Sequence, residues 1–192
     1  MLDLGARGAR IPRSLEVSAE PSAIAAALDS LGLDEAVIKP IIGASGFGVE
    51  RVTRGTEADA LARAQSNKRT DRVLVQEFLN EIAQGELAGI FFDGVFSHAC
   101  RRVPAPGEFR INSQFGGRMI TAEVASEVVA QMASVIALLP RPALYARVDG
   151  VLHDRRFVLM EVEVNEPGLG LDLAPGSADR FAGALLARLR PG

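Results

Sequence analysis

Y-A-R-V-D-G-V-L-H-D-R-R-F-V-L-M-E-V-E-V-N-E, residues 145–166, is the stretch around which the rest of the chain falls into place. Apolar and polar residues alternate at period two on each side of His153-Asp154-Arg155, which predicts two β-strands joined by a polar turn. Successive side chains of a strand point to opposite faces, so Glu161, Glu163 and Asn165 share one face and Val162 and Val164 the other. With the turn centred near residues 153–155, Asp149 lies opposite Glu161, Arg147 opposite Glu163, and Tyr145 opposite Asn165. Three carboxylates, an amide oxygen and one guanidinium then occupy a single patch. Crowded carboxylates repel one another and resist burial, so the pattern is poor for folding. It suits hard divalent cations, which take several oxygen ligands. The competing reading is a solvated outer face on which Arg147 and Glu163 form a weak surface pair.

Working outward, 192 residues with 48% hydrophobic content suffice for one domain or two small lobes with a proper core. A net charge of -3, no Trp and one Tyr argue against a nucleic-acid or anionic-membrane partner, which would bring a basic excess and stacking surface. Cys100 is the single cysteine, so no intrachain disulfide can form and a reducing interior is expected. The apolar run over residues 128–139 is interrupted by Gln131 and Ser134 and is too short to span a bilayer, and no signal-peptide core stands at the start. The expectation is a cytoplasmic protein.

Residues 1–17 read as the tail of a helix, a stop at Gly8 and an extended segment entered through Pro12, the lead-in from an upstream region. A helix capped by Ser18 is expected over 18–31, with Gly32 ending it. The strand Ala36-Val37-Ile38-Lys39-Pro40 places Lys39 at its end, and a glycine loop follows over 41–52 with Gly43, Gly46 and Gly48 beside Ala44 and Ser45. Glycines let backbone N–H groups approach an anion closely, so the loop can drape over phosphates. It is not a P-loop, because Lys39 precedes the glycines; a plain glycine hairpin is the alternative. Thr56 is expected to cap a second helix, with Asp59 completing a capping box. Asn67 to Arg72 reads as a solvated polar connection, followed by a strand over 72–79. Residues 18–79 thus form a small α+β lobe, 80–86 a hinge, and 80–192 a second lobe. That lobe opens with a hairpin around Asp93-Gly94. His98 and Cys100 share a face of its second strand without a metal spacing. Arg110 and Asn112 sit in an irregular segment that ends at Gly116-Gly117. Thr121 is expected to cap a helix to Leu139, and a last helix runs from Ser177.

The order Lys39, glycine loop, Gln76-Glu77-Phe78-Leu79, Glu86, Arg110, Arg147-Val148-Asp149, Glu163-Val164-Asn165 resembles the ATP-grasp superfamily. It is similar above all to the glutathione synthetase-like and D-alanine:D-alanine ligase-like carboxylate-amine ligases. The tail L-M-E-V-E-V-N-E-P-G-L-G-L-D resembles the branch that includes the cycloserine-forming ligase. The resemblance implies an α+β ATP-grasp fold, two lobes with the nucleotide cleft between them, and an N-terminal domain that this chain lacks. It also implies roles. Lys39 would contact the phosphates of ATP, with Ser45, Gly46, Phe47 and Gly48 covering them. Glu77 and the backbone of Phe78 and Leu79 would hold the adenine edge, and Glu86 the ribose. Asp149, Glu163 and Asn165 would hold two Mg²⁺ ions, or Mn²⁺ in their place, with Glu161 as a flanking charge partner. Arg110 and Arg147 would stabilise the transferring phosphoryl group.

The chemistry so implied is ADP-forming ligation of a small-molecule carboxylate to an amine through an acyl phosphate, with closure of residues 41–52 excluding water. It requires no protein nucleophile. Two rival classes are a nucleotide-binding module without turnover and a small-molecule kinase of the same fold. No nucleic-acid or membrane partner is expected; a homo-oligomer is compatible with the sequence.

Overall fold

The computed structural model describes residues 1–66 and 70–189. The chain divides into two compact units, Pro12–Asn80 and Met1–Ile11 with Glu81–Gly192. The lead-in over residues 1–17 is therefore shared between them, since residues 12–17 belong to the first.

In the Pro12–Asn80 unit, strands β1 (Ser14–Ser18), β2 (Glu35–Pro40), β3 (Glu50–Thr53) and β4 (Arg72–Glu77) form an antiparallel sheet in the order β1-β4-β2-β3. Helices α2 (Pro21–Leu31) and α3 (Glu57–Ala64) supply its cover. The alternation of β2 decides which face they cover: Ala36 and Ile38 are fully buried and pack with Val52, Val73 and Val75 against Ile24, Ala27 and Leu28 of α2 and Ala60, Leu61 and Ala64 of α3. α2 starts at Pro21 behind Glu20 instead of at Ser18, because Ser18 pairs with Arg72 in the sheet. Proline at the first helical position loses no hydrogen bond there. Gly32 (φ 63°) ends α2 in the left-handed conformation. Thr56 precedes α3, but the capping box with Asp59 does not form; the Thr56 hydroxyl instead turns back to Thr53. Asn67, Lys68 and Arg69 of the expected polar connection lie outside the described residues. Arg72, its last member, is paired with Glu16 at 2.5 Å.

The larger unit begins with the short helix α1 (Leu2–Ala6). It holds a five-stranded antiparallel sheet in the order β7-β6-β5-β8-β9, with β5 (Glu86–Phe92), β6 (Val95–Val103), β7 (Arg118–Ala122), β8 (Tyr145–His153) and β9 (Arg156–Glu163). A 3-10 helix over Asn80–Gln84 occupies the expected hinge. β5 lies at the centre and is buried along its whole length. One face of the sheet, with Leu87, Phe91, Val148, Phe157 and Leu159, packs on Val128, Met132 and Val135 of α4 (Ser126–Ala137). Gly89 permits this contact, since a Cβ there would stand 2.6 Å from the Met132 sulfur. On the other face Ala88, Ile90, Phe92 and Cys100 pack with Met119, Tyr145, residues 169–173 and Phe181 and Ala184 of α5 (Ser177–Leu189). The helix expected from Thr121 starts at Ser126 instead: Thr121 pairs with Cys100 in β7, and sheet pairing wins over helix propensity there.

Candidate active site

The β8–β9 hairpin closes through Asp154 and Arg155, both with positive φ (51° and 60°). Such a two-residue turn by itself would set Met160 opposite Asp149. The ladder shifts between Asp149 and Gly150, so that Gly150 pairs with Leu159 while Asp149 pairs with Glu161 and Arg147 with Glu163. Met160 is the extra residue of a β-bulge, and the bulge brings Glu161 and Glu163 to the face of Arg147 and Asp149. Gly150 is required at this point, as a Cβ would lie 2.3 Å from the Val158 carbonyl oxygen. β9 ends at Glu163, so the expected pairing of Tyr145 with Asn165 does not form; Asn165 follows the strand in an exposed position.

This face is buried at Arg147 and Asp149 and reaches solvent at Glu161. Asp149 is completely buried, and Arg147 and Glu86 nearly so. The Arg147 guanidinium donates to Asp149 (Nε at 2.9 Å, Nη2 at 2.8 Å) and to Glu163 (2.7 Å), and its Nη1 donates to the Gly168 carbonyl at 3.2 Å. Arg102 of β6 approaches Asp149 at 2.6 Å and Glu86 at 3.4 Å. Burial works to lower the Arg147 pKa, yet the pull of Asp149, Glu163 and Glu161 outweighs it and leaves it raised. Oxygens of Asp149, Glu161 and Glu163 all lie within 4.8 Å of one another. Four carboxylates with two guanidinium groups give the group an excess of two negative charges. That donor set fits a hard divalent cation. Two oxygens on one Mg²⁺ are at most about 4.2 Å apart, so small side-chain adjustments close the geometry. Glu161 lies within this group of oxygens. Arg102 was not anticipated. A second bulge in β6 hides it, because β5 pairs Phe91 with Phe96 but Ile90 with His98, and so moves Arg102 rather than Arg101 opposite Glu86.

Arg110 lies in the irregular segment before a 3-10 turn over Ser113–Phe115. It forks onto Glu108 (3.1 and 2.7 Å) and stacks 3.8 Å from the centre of the Phe115 ring. The Arg110 hydrogen bonds hold the Glu108 carboxyl well below the usual range, at about 2.

In the Pro12–Asn80 unit, Lys39 at the end of β2 donates from Nζ to Gln76 Oε1 at 2.7 Å. Gln76 is fully buried and donates to Ser14 Oγ at 3.1 Å, so the lysine head is held by an amide network across three strands. The glycine segment is the β2–β3 connection. Ser45, Gly46 and Gly48 have φ of 60°, 73° and 74°, and Ile42 and Phe47 are exposed. The Glu77 carboxylate accepts a two-pronged contact from Arg13 (3.1 and 2.8 Å). It ties β4 to residue 13, a partner that the adenine role did not foresee. Arg51 lies 4.1 Å over the Phe78 ring, and Leu79 is buried.

A family model for the ATP-grasp domain of prokaryotic glutathione synthetase matches residues 9–169. The chain belongs to this ATP-grasp family. It is 30% identical to the cycloserine biosynthesis protein DcsG of Streptomyces lavendulae, over 100% of this chain and 69% of that protein. It is also 30% identical to a probable alpha-L-glutamate ligase of Shewanella pealeana, over 83% of this chain but 34% of the relative. The crystal structure of the D-cycloserine synthetase DcsG superposes with a TM-score of 0.82 at 27% identity, covering 98% of this chain and 68% of that one. A D-alanine–D-alanine ligase from Bacillus anthracis shares the fold (TM-score 0.69, 23% identity, 96% and 60% covered). The α+β ATP-grasp architecture is thereby shown. Among the described residues, no helix is long and apolar enough to cross a membrane.

Proposed function

We propose that this chain is the ATP-binding part of a carboxylate-amine ligase that works through an acyl phosphate. The observation that carries the reading is the Asp149–Glu161–Glu163 oxygen group, buried at Asp149, half-buried at Glu163 and open to solvent at Glu161, braced by Arg147 and Arg102. Carboxylates held together at net negative charge around a buried Asp149 cost stability unless a cation answers them. Family membership supports the phosphates of ATP as the companion of that cation. Asp149, Glu161 and Glu163, with Asn165 at the strand's end, would hold Mg²⁺, which when bound neutralises charge on the phosphate oxygens.

The chain's own residues supply the rest. Lys39, steadied by Gln76, contributes a positive charge to the phosphates. The 41–49 connection covers them with backbone N–H groups and keeps water from the acyl phosphate. Phe78 and Leu79 meet the adenine edge through their backbone, with Glu77 locking the strand end, and Glu86 faces the ribose. Arg110 stabilises charge on the phosphoryl group in flight. Arg147 acts by spacing Asp149 and Glu163, since its guanidinium already donates to both. A carboxylate oxygen of the substrate attacks the γ-phosphorus and the bond to the β–γ bridging oxygen breaks, releasing ADP. The amine nitrogen then attacks the acyl carbon, phosphate leaves with the bonding pair, and the amine's surplus proton passes to solvent.

Hydroxylamine trapping tests this. Incubation with Mg·ATP, hydroxylamine and a panel of small carboxylates is expected to yield a hydroxamate that requires ATP and one class of carboxylate. A stable phospho-product instead identifies a kinase; nucleotide binding with neither product identifies a binding module. Asp149→Asn and Lys39→Met are expected to lower Mg·ATP binding at least tenfold. Wild-type-like binding in both variants overturns the site.

A further inference from the structure

The segment that continues from the acid strand, residues 167–173, is anchored through its carbonyls by side chains of four different elements. Gly168 O accepts from Arg147 of β8 (3.2 Å), Leu171 O from Ser177 of α5 (2.7 Å) and Leu173 O from Thr121 of β7 (3.1 Å). The fourth anchor is His98 of β6, whose Nε2 lies 2.9 Å from Leu169 O. Gly170 (φ 57°) is pressed onto the sheet so closely that a Cβ would meet the Cys100 sulfur at 2.8 Å.

The hydrogen bonds fix where the protons sit. A carbonyl oxygen can only accept, so Nε2 carries the hydrogen. In the neutral ring Nδ1 must then accept. Its partner at 2.9 Å is the hydroxyl of Ser97, which in turn accepts from Arg180 Nε at 2.9 Å. A single direction of donation thus runs from Arg180 on α5 through Ser97 and His98 to Leu169. Ser97 is the bulge residue of β6, skipped between the pairs Phe91–Phe96 and Ile90–His98. Burial lowers the His98 pKa and keeps the ring in the neutral form that this arrangement needs.

We propose that His98 is a positioning residue for the cation site. By holding Leu169 O it fixes the adjoining Gly168 peptide against Arg147, and so holds the guanidinium that spaces Asp149 and Glu163. The inference rests on the reading of the acid group as a divalent-cation site. Partners one step behind the ligands, as Arg147 is here, commonly change metal affinity by about 10- to 100-fold when removed; His98 acts through Arg147, so its effect falls at the lower end of that range.

Mn²⁺ titration of the full chain, followed by electron paramagnetic resonance, reads the effect without turnover. The Gln amide nitrogen can stand in for Nε2 of histidine, whereas that of Asn reaches only the level of Nδ1. His98→Gln is therefore expected to bind Mn²⁺ within about twofold of wild type and His98→Asn about tenfold more weakly. Nitrogen-15 shifts of the wild-type ring are expected to show the neutral Nε2–H tautomer. If His98→Asn does not fold, His98→Phe takes its place, since its ring fills the site but cannot donate to Leu169 O: unchanged Mn²⁺ affinity there overturns the proposal. So do equal affinities in the Gln and Asn variants, or a ring protonated at Nδ1. Failure of wild type to bind Mn²⁺ overturns the cation-site reading itself, and this inference with it.

Discussion

Two hairpins carry most of the candidate ligands, and they are built in opposite ways. β8–β9 closes in a two-residue turn, corrects its register with a bulge and buries Arg147 and Asp149 in ion pairs. β2–β3 is joined by nine residues, with three left-handed backbone positions and apolar side chains in the open. A group of cation ligands must be held to a fraction of an ångström, and buried charge pairs on adjacent strands do that. A cover for phosphates, the role proposed for the β2–β3 connection, must admit its ligand and then settle on it, and glycines at left-handed positions allow that. The contrast teaches that precision and pliancy are divided between two hairpins of one family fold.

If that division is real, damage to the first hairpin should fall on stability and damage to the second on binding. Arg147→Met should show the largest effect. It leaves Asp149 buried with less compensation, and urea unfolding should report a loss of about 3–5 kcal/mol. Gly150→Ala comes next, because its methyl group cannot coexist with the Val158 carbonyl at 2.3 Å. The expected cost is about 1–3 kcal/mol, with weaker Mn²⁺ binding as the bulge shifts. Gly48→Ala probes the other hairpin. There φ is 74°, and a Cβ would stand 3.0 Å from the Ala64 carbonyl oxygen. Thermal unfolding should move by about 1 kcal/mol, with a larger proportional loss in the on-rate for Mg·ATP. Equal stability losses at Gly150 and Gly48 would erase the comparison.

The smallest effect concerns Glu108, beside Arg110. Its folded pKa, about 2, is below the unfolded value of about 4.3. The stabilisation is therefore present above pH about 4.3 and is lost as pH falls through 2. Glu108→Gln should flatten the acid limb of stability within that window and leave neutral-pH stability slightly lower. An unchanged acid limb would show that the fork with Arg110 does not persist in solution.

The elements were legible where apolar pattern and turn residues agreed: β2, β5, β6, α5 and the acid hairpin all follow from them. What stayed hidden has a common cause, since a bulge leaves no mark in hydrophobic pattern. The expected pairing of Asp149 with Glu161 puts the hairpin's centre at residue 155, half a residue beyond the Asp154–Arg155 turn, and the bulge at Met160 compensates for that offset, so Asp149 does face Glu161. At β6 a register without the bulge would set Arg101 opposite Glu86, and only the bulge at Ser97 puts Arg102 there. Thr121 looked like a helix cap because its partner strand, twenty residues upstream, is invisible to local propensity. Glu161 is the instructive case. Face periodicity set it on the same side as Asp149 and Glu163, and the register puts it there.

The backbone carbonyl of Arg10 accepts from the Leu159 amide at 2.8 Å. β9 is an outermost strand of its sheet, so the opening residues of the chain act as a selvedge along a rim that would otherwise invite a stranger's strand. A version trimmed to start at Pro12 would keep the whole smaller unit yet bare that rim. Its first symptom would be sticking to itself, well before any loss of affinity for nucleotide.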